Sequence, residues 1–174
     1  MSADLTNDKF VGIAAIFDGE TQAKLARLCE ALNKKGFTGS QTKDIPYHVT
    51  LGRGEVANTD WFAEKIDEVC PRLASFGVSL GYLGLFGLAV LFIAPVGNTE
   101  LLGLYESFYP GRGGGAHDWA AHVTMFIDEP ETILRALPVL AAEFKPFTAR
   151  IDCVALYEFF PARLIAKRKL GNDY

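Results

Sequence analysis

The chain has 174 residues, 49% hydrophobic and 22% charged, with a formal net charge of −4. That is a globular composition for one domain or two small lobes, and it excludes a disordered chain. The acidic balance argues against holding long DNA or RNA through an overall positive field, while a local basic cleft still suits a nucleotide or a short nucleic-acid end.

Met1 to Lys9 is polar and lacks the apolar segment of a signal peptide. Phe10 to Phe17 reads as an apolar strand, and Asp18 or Thr21 caps the helix after it. Leu25, Leu28, Ala31 and Leu32 form that helix's apolar stripe, Gly36 ends it, and Thr38 to Asp44 is a polar loop. A strand through His48-Val49-Thr50 follows, then a helix opened by Asn58 or Thr59 with Phe62, Ile66 and Val69 on one face. From Leu73 to Thr99 no residue is charged, which raises the question of a membrane span. Five glycines, Pro95 and the alternation Val78-Leu80-Tyr82 and Leu88-Val90-Phe92 fit two strands turned at Phe86-Gly87 better. Asn98 or Thr99 caps a helix holding Leu101, Leu104 and Phe108. Tyr109 to Ala120 is a glycine-rich loop, and His122-Val123-Thr124 begins another strand. Glu129-Pro130-Glu131 opens a helix running through Leu140. Phe147 to Phe159 and Arg163 to Lys169 read as closing strands turned at Pro161. The order β-α-β-α-β-β-α-β-α-β-β is an α+β domain, expected as one bilobal unit over residues 1–174. Cys29, Cys70 and Cys153 form no CxxC pair and no disulfide framework, which points to a reducing cytoplasm.

The chain holds only three histidines, and two of them begin the same tripeptide, His48-Val49-Thr50 and His122-Val123-Thr124. Each copy sits in an apolar run, and the copies lie close to half the chain length apart. That spacing suggests one copy per half of a duplicated architecture. On a strand, residues two apart share a face, so each copy presents an imidazole and a hydroxyl together.

Two imidazoles divide the work of acid and base near neutral pH. One takes a proton from an attacking water while the other gives a proton to the leaving oxygen, the arrangement that hydrolysis of a cyclic phosphodiester needs. Two threonine hydroxyls can hold the non-bridging oxygens as charge builds on them. Histidines also bind metals, but a convincing third ligand is missing: His117 lies in a loop, and no His-x-x-x-His or Cys-His cluster accompanies the pair. No metal and no cofactor is therefore expected.

These residues resemble the 2H phosphoesterase superfamily, which includes bacterial RNA 2′,3′-cyclic phosphodiesterases, historically called 2′-5′ RNA ligases. The resemblance rests on Tyr47-His48-Val49-Thr50-Leu51, on Ala121-His122-Val123-Thr124-Met125 and on their separation. It extends to Gly81-Tyr82-Leu83-Gly84-Leu85-Phe86, the apolar strand ending at Pro95 and the Leu101-Leu102 helix. It implies a bilobal, pseudo-twofold fold, with two mixed or antiparallel sheets around a central cleft and helices outside. It also implies that His48 and His122 are the acid/base pair and that Thr50 and Thr124 bind phosphate. Ala121 departs from the proline that many members carry before the second histidine.

Arg53, three residues beyond Thr50, is a candidate for reaching a phosphate or substrate tail, against the alternative of a solvated turn charge. Tyr47 and Trp119 are candidates for stacking a base, against packing in the core. Tyr82 and Phe86 are weighed the same way. Arg112 lies in Gly111-Arg112-Gly113-Gly114-Gly115, which is no P-loop because no Gly-Lys-Ser/Thr follows. Arg163, Lys167, Arg168 and Lys169 form a basic stretch that steers an anionic substrate or merely charges an edge strand. The expected function is a metal-independent phosphodiesterase acting on a 2′,3′-cyclic phosphate or 2′,5′-linkage of a nucleotide or RNA end. The expected partners are that substrate alone, with no long DNA, no membrane and a monomeric state. The alternative is a non-catalytic RNA-end or nucleotide-binding module of the same fold.

Overall fold

The computed structural model describes residues 9–39, 45–109 and 119–171. Among these, seven strands and four α-helices follow the order expected from the sequence. The strands are β1 (Phe10–Phe17), β2 (His48–Glu55), β3 (Phe76–Phe86), β4 (Val90–Pro95), β5 (Val123–Ile127), β6 (Phe147–Phe159) and β7 (Arg163–Lys169). The helices are α1 (Gly19–Lys34), α2 (Thr59–Val69), α3 (Thr99–Phe108) and α4 (Pro130–Glu143).

Local chemistry explains most boundaries. The Asp18 carboxylate accepts from the Thr21 N–H at 2.9 Å and starts α1. The Asn98 carbonyl oxygen does the same for Leu101 at 2.8 Å and starts α3. The uncharged stretch from Leu73 folds as β3 and β4, turned at Gly87, whose φ of 54° is the left-handed region glycine tolerates. Among the described residues no helix is long and apolar enough to cross a membrane.

All strand pairs are antiparallel, in the order β2-β1-β6-β3-β4-β5, with β7 also beside β6. The fold is α+β as expected, but the two expected sheets are hydrogen-bonded into one. The long strand β6 is the reason. Its first part, Phe147 to Ile151, pairs with the start of β3, while Ile151 to Phe159 pairs with β1. Each half of the ladder thus takes its third strand from the other half of the chain: β2-β1-β6 on one side, β5-β4-β3 on the other. The two motif strands, β2 and β5, are the two ends of the ladder. They approach each other without pairing, so the sheet curls around a cleft and stays open.

The helices cover one face only. Leu25 of α1, Ile66 of α2, Leu104 of α3 and Ile133 of α4 pack with Val11, Ile13, Leu91 and Leu156 of the sheet. Each such fully buried side chain contributes roughly 1.5–3 kcal/mol relative to exposure. The opposite face carries a smaller cluster of Ala14, Ile16, Cys153, Ala155 and Tyr157. The cleft opens on that second face.

Candidate active site

Strand alternation sends Val49 and Leu51 into the core and leaves His48 and Thr50 on the cleft face. Val123 and Met125 do the same for Thr124, with His122 just before β5. His48, Thr50, His122 and Thr124 all line one cavity of about 240 Å³.

The two imidazoles are held identically. His48 Nδ1 lies 2.8 Å from the Pro46 carbonyl oxygen, and His122 Nδ1 lies 2.7 Å from the Ala120 carbonyl oxygen. A carbonyl only accepts, so each Nδ1 carries the proton and donates it. Proton exchange is thereby assigned to Nε2 on both rings. Burial pushes both pKa values below the ordinary histidine value. The Pro46 and Ala120 carbonyls oppose that shift, and a charge on His122 pushes His48 further down. Both rings line the same cavity.

A bulge after each threonine re-aims the next side chain. On β2, Thr50 pairs with Ala14 and Gly52 pairs with Ile13, so Leu51 is the extra residue. Without it, Arg53 would face the core; with it, Arg53 pairs with Gly12 and lines the cleft. On β5, Thr124 pairs with Phe92 and Phe126 pairs with Leu91, so Met125 is extra and Ile127 takes the place corresponding to Arg53. Glycine is required at position 52 because a Cβ there would lie 2.1 Å from Tyr109 Oη.

Two other sequence candidates lie elsewhere. Tyr47 alternates away from His48 and packs against the core, where burial and the neighbouring Cys29 thiol raise its pKa. Its backbone is clamped by Gln22: Tyr47 N–H donates to Oε1 at 2.9 Å and the Gln22 amide donates back at 2.7 Å. Trp119 is stacked on Tyr105 with ring centroids 4.2 Å apart, and its Nε1–H donates to the Thr50 carbonyl at 2.9 Å. Tyr109 Oη donates to the Arg53 carbonyl at 3.0 Å. Two aromatic donors therefore satisfy the outer edge of β2 on either side of its bulge, where a further strand would otherwise pair. Phe86 also stays outside the cavity wall, its ring edge-on to His122 at 4.6 Å. Tyr82 is exposed on β3, its hydroxyl 3.4 Å from the Pro95 carbonyl. Arg112 and His117 lie outside the described residues.

The sequence reading missed Phe10, Tyr157, Phe159 and Phe160, all of which line the cavity. Its basic C-terminal stretch is partly engaged elsewhere: Arg163 pairs with Glu158 and Arg168 with Asp67. Among the described residues no group of three or more His, Cys, Asp or Glu side chains is placed to hold a metal ion.

No protein-family model matches the sequence, and no curated protein matches it in sequence. Solved structures match it in fold. E. coli LigT complexed with ATP superposes with a TM-score of 0.65 at 13% identity, over 96% of this chain and 100% of that one. E. coli LigT complexed with phosphate gives 0.63 at 12% identity, over 96% and 100%. Thermus thermophilus TT0787 gives 0.62 at 14% identity, over 95% and 100%. The chain has the fold of these structures.

Proposed function

We propose that this protein is a phosphodiesterase that opens a 2′,3′-cyclic phosphate, or cleaves a 2′,5′-linkage, on a nucleotide or RNA end. The observation that carries this reading is the placement of two imidazoles and two threonines around one cavity, with each Nδ1 committed to a backbone carbonyl. The E. coli LigT structures with ATP and with 3′-AMP support a nucleotide-sized ligand.

In the proposed step, Nε2 of one neutral histidine takes a proton from water as its oxygen attacks phosphorus. The bond from phosphorus to one ribose oxygen breaks, and that oxygen takes the proton from the other, charged histidine. One water is added, and the pair ends with its proton moved from one ring to the other. Thr50 and Thr124 hydroxyls donate to the non-bridging oxygens as charge builds there. Arg53 adds a positive charge on the side of β2. The acid–base work is assigned to the imidazoles, so the reading needs no metal.

The experiment measures hydrolysis of 2′,3′-cyclic nucleotides, cyclic-phosphate RNA ends and 2′,5′-linked dinucleotides, with and without EDTA. Turnover that survives EDTA and disappears in both His48→Ala and His122→Ala is expected. Absence of turnover on every substrate, with nucleotide binding intact, favours a binding module of the same fold.

A further inference from the structure

The cavity is lopsided. Among the described residues, the β5-β4-β3 side contributes only His122, Thr124 and Ile127; the rest of the lining is Ile45, β1, β2, the end of β6 and Phe160 just after it. The reason lies in the strands beneath the motifs. Thr50 pairs with Ala14, which pairs with Ala155, and Arg53 pairs with Gly12, which pairs with Tyr157. The corresponding rows in the second half are Thr124-Phe92-Gly84 and Ile127-Val90-Phe86. Ala14 leaves a slot where Phe92 fills the space, and Gly12 makes room for the Phe159 ring, which lies 3.0 Å from where a Cβ would stand, at the place Val90 takes in the second half.

The slot runs along β1 from Ala14 to Phe10, roughly 13 Å at the rise of a strand. It ends at a wall of rings. Phe10 stacks on Phe159 with centroids 5.0 Å apart, and Phe160 meets Phe10 edge-on at 5.9 Å. The Arg53 guanidinium lies over the Phe10 ring at 4.5 Å. Phe160 is 73% exposed, although it adjoins this cluster and lines the cavity. A single exposed phenylalanine is ordinary; one that extends a stacked aromatic wall at a cavity mouth is a surface waiting for a flat partner.

We propose that this wall, Phe10, Phe159 and Phe160 with Arg53 beside it, stacks the nucleobase of the nucleotide whose phosphate sits between His48 and His122. The inference rests on the proposed function and fixes the direction of the substrate: sugar over Ala14, base against the rings beyond it. The wall is mostly carbon rings, so it holds a base chiefly by its π-face, and the Arg53 N–H groups are its only hydrogen-bond donors. It accepts any base, with larger purine rings held more tightly than pyrimidines.

Calorimetric titration with adenosine 3′-monophosphate, cytidine 3′-monophosphate, ribose 5-phosphate and inorganic phosphate tests this. Adenosine 3′-monophosphate is expected to bind about tenfold or more tighter than ribose 5-phosphate. Phe160→Ala, at an exposed site that folding does not need, should remove most of that difference and leave phosphate binding unchanged. Phe160→Trp should retain it. The inference is overturned if ribose 5-phosphate binds as well as the nucleotide, or if Phe160→Ala and Phe10→Ala both leave nucleotide affinity intact. Nucleotide binding that depends on Phe160, without turnover of any cyclic substrate, sinks the catalytic reading alone. Turnover with equal kcat/KM in wild type and Phe160→Ala sinks the wall alone.

Discussion

In the first half of the cleft, His48, Thr50 and Arg53 pair with Ile16, Ala14 and Gly12; in the second half, Thr124 and Ile127 pair with Phe92 and Val90. The His-Val-Thr groups are duplicated, down to the carbonyl under each Nδ1 and the bulge after each threonine, but the floors are not. Under the proposed function, chemistry at phosphorus uses an acid on one side and a base on the other, which the two motifs would supply. A nucleotide carries its base on one side only, which the single open floor would accommodate. The aromatic residues that fill the second floor also crowd His122: Phe86 and Phe92 lie 4.6 and 5.4 Å from its ring. Among the described residues His48 has no such ring contact.

The largest expected effect comes from breaking the part the halves share. His48→Ala and His122→Ala should each lower turnover about 10²–10⁴-fold, and the double variant should fall little further, because acid and base act as a unit. A loss confined to one histidine would show that the halves are not chemically equivalent. The next effect comes from exchanging the floors. Phe92→Ala should cost about 3 kcal/mol in urea unfolding, the low end for a buried phenylalanine, without improving nucleotide binding. Gly12→Val copies Val90 into the open half. Its Cβ would meet the Phe159 ring at 3.0 Å, so the ring must yield slightly. It should weaken adenosine 3′-monophosphate about tenfold while inorganic phosphate still binds. Equal loss for both ligands would place the base elsewhere.

The shared part was legible in the sequence and the differing part was not. A repeated His-Val-Thr on two apolar runs fixes strand and face at once, because alternation is strict over three residues. Asp18 and Asn98 declared their helices through short-range caps. Arg53 cannot be placed by alternation, because the bulge at Leu51 reverses its face, and beside that bulge Tyr109, just past the end of α3, packs over Gly52. For Trp119 the sequence leaves base stacking and packing at the strand entry open, because its bond to Thr50 and its stack on Tyr105 are long-range contacts. Phe159 reads as an ordinary strand residue and Phe160 as part of the turn; only the pairing of β6 with β1 brings them beside Phe10. The single sheet escaped notice for the same reason, since the splice between β3 and β6 is a long-range contact.

The pair also links pH to stability and rate. Both folded-state pKa values lie below the ordinary histidine value of about 6.5, chiefly through burial. The unfolded chain therefore binds more protons as pH falls toward that value. The stabilisation is fully present above pH about 6.5 and is lost as pH drops through the folded values. The urea midpoint should fall between pH 7 and 5, and a His48→Gln/His122→Gln protein should fall less. Glu158, lowered by its bonds to Lys9 and Arg163, loses its contribution only at more acidic pH, below its ordinary 4.5. The kcat/KM profile should be a bell belonging to the coupled pair, with its centre on the acid side of pH 6.5. A double variant that tracks the wild-type midpoint across this window would remove the histidines from the linkage.

The smallest effect probes how the open half is held. Thr50 and Arg53 stand on an edge strand whose outer carbonyls are capped by the Trp119 and Tyr109 donors. Trp119→Phe keeps a ring on Tyr105 but removes the N–H. It should cost about 1 kcal/mol in urea unfolding, the net worth of one hydrogen bond. If the indole positions Thr50, inorganic phosphate and adenosine 3′-monophosphate should weaken together, by about threefold. If it instead touches the base, the nucleotide alone should weaken. That second pattern would put the base on the α3 side of β2, opposite Phe160, and the open floor over Ala14 would need another occupant.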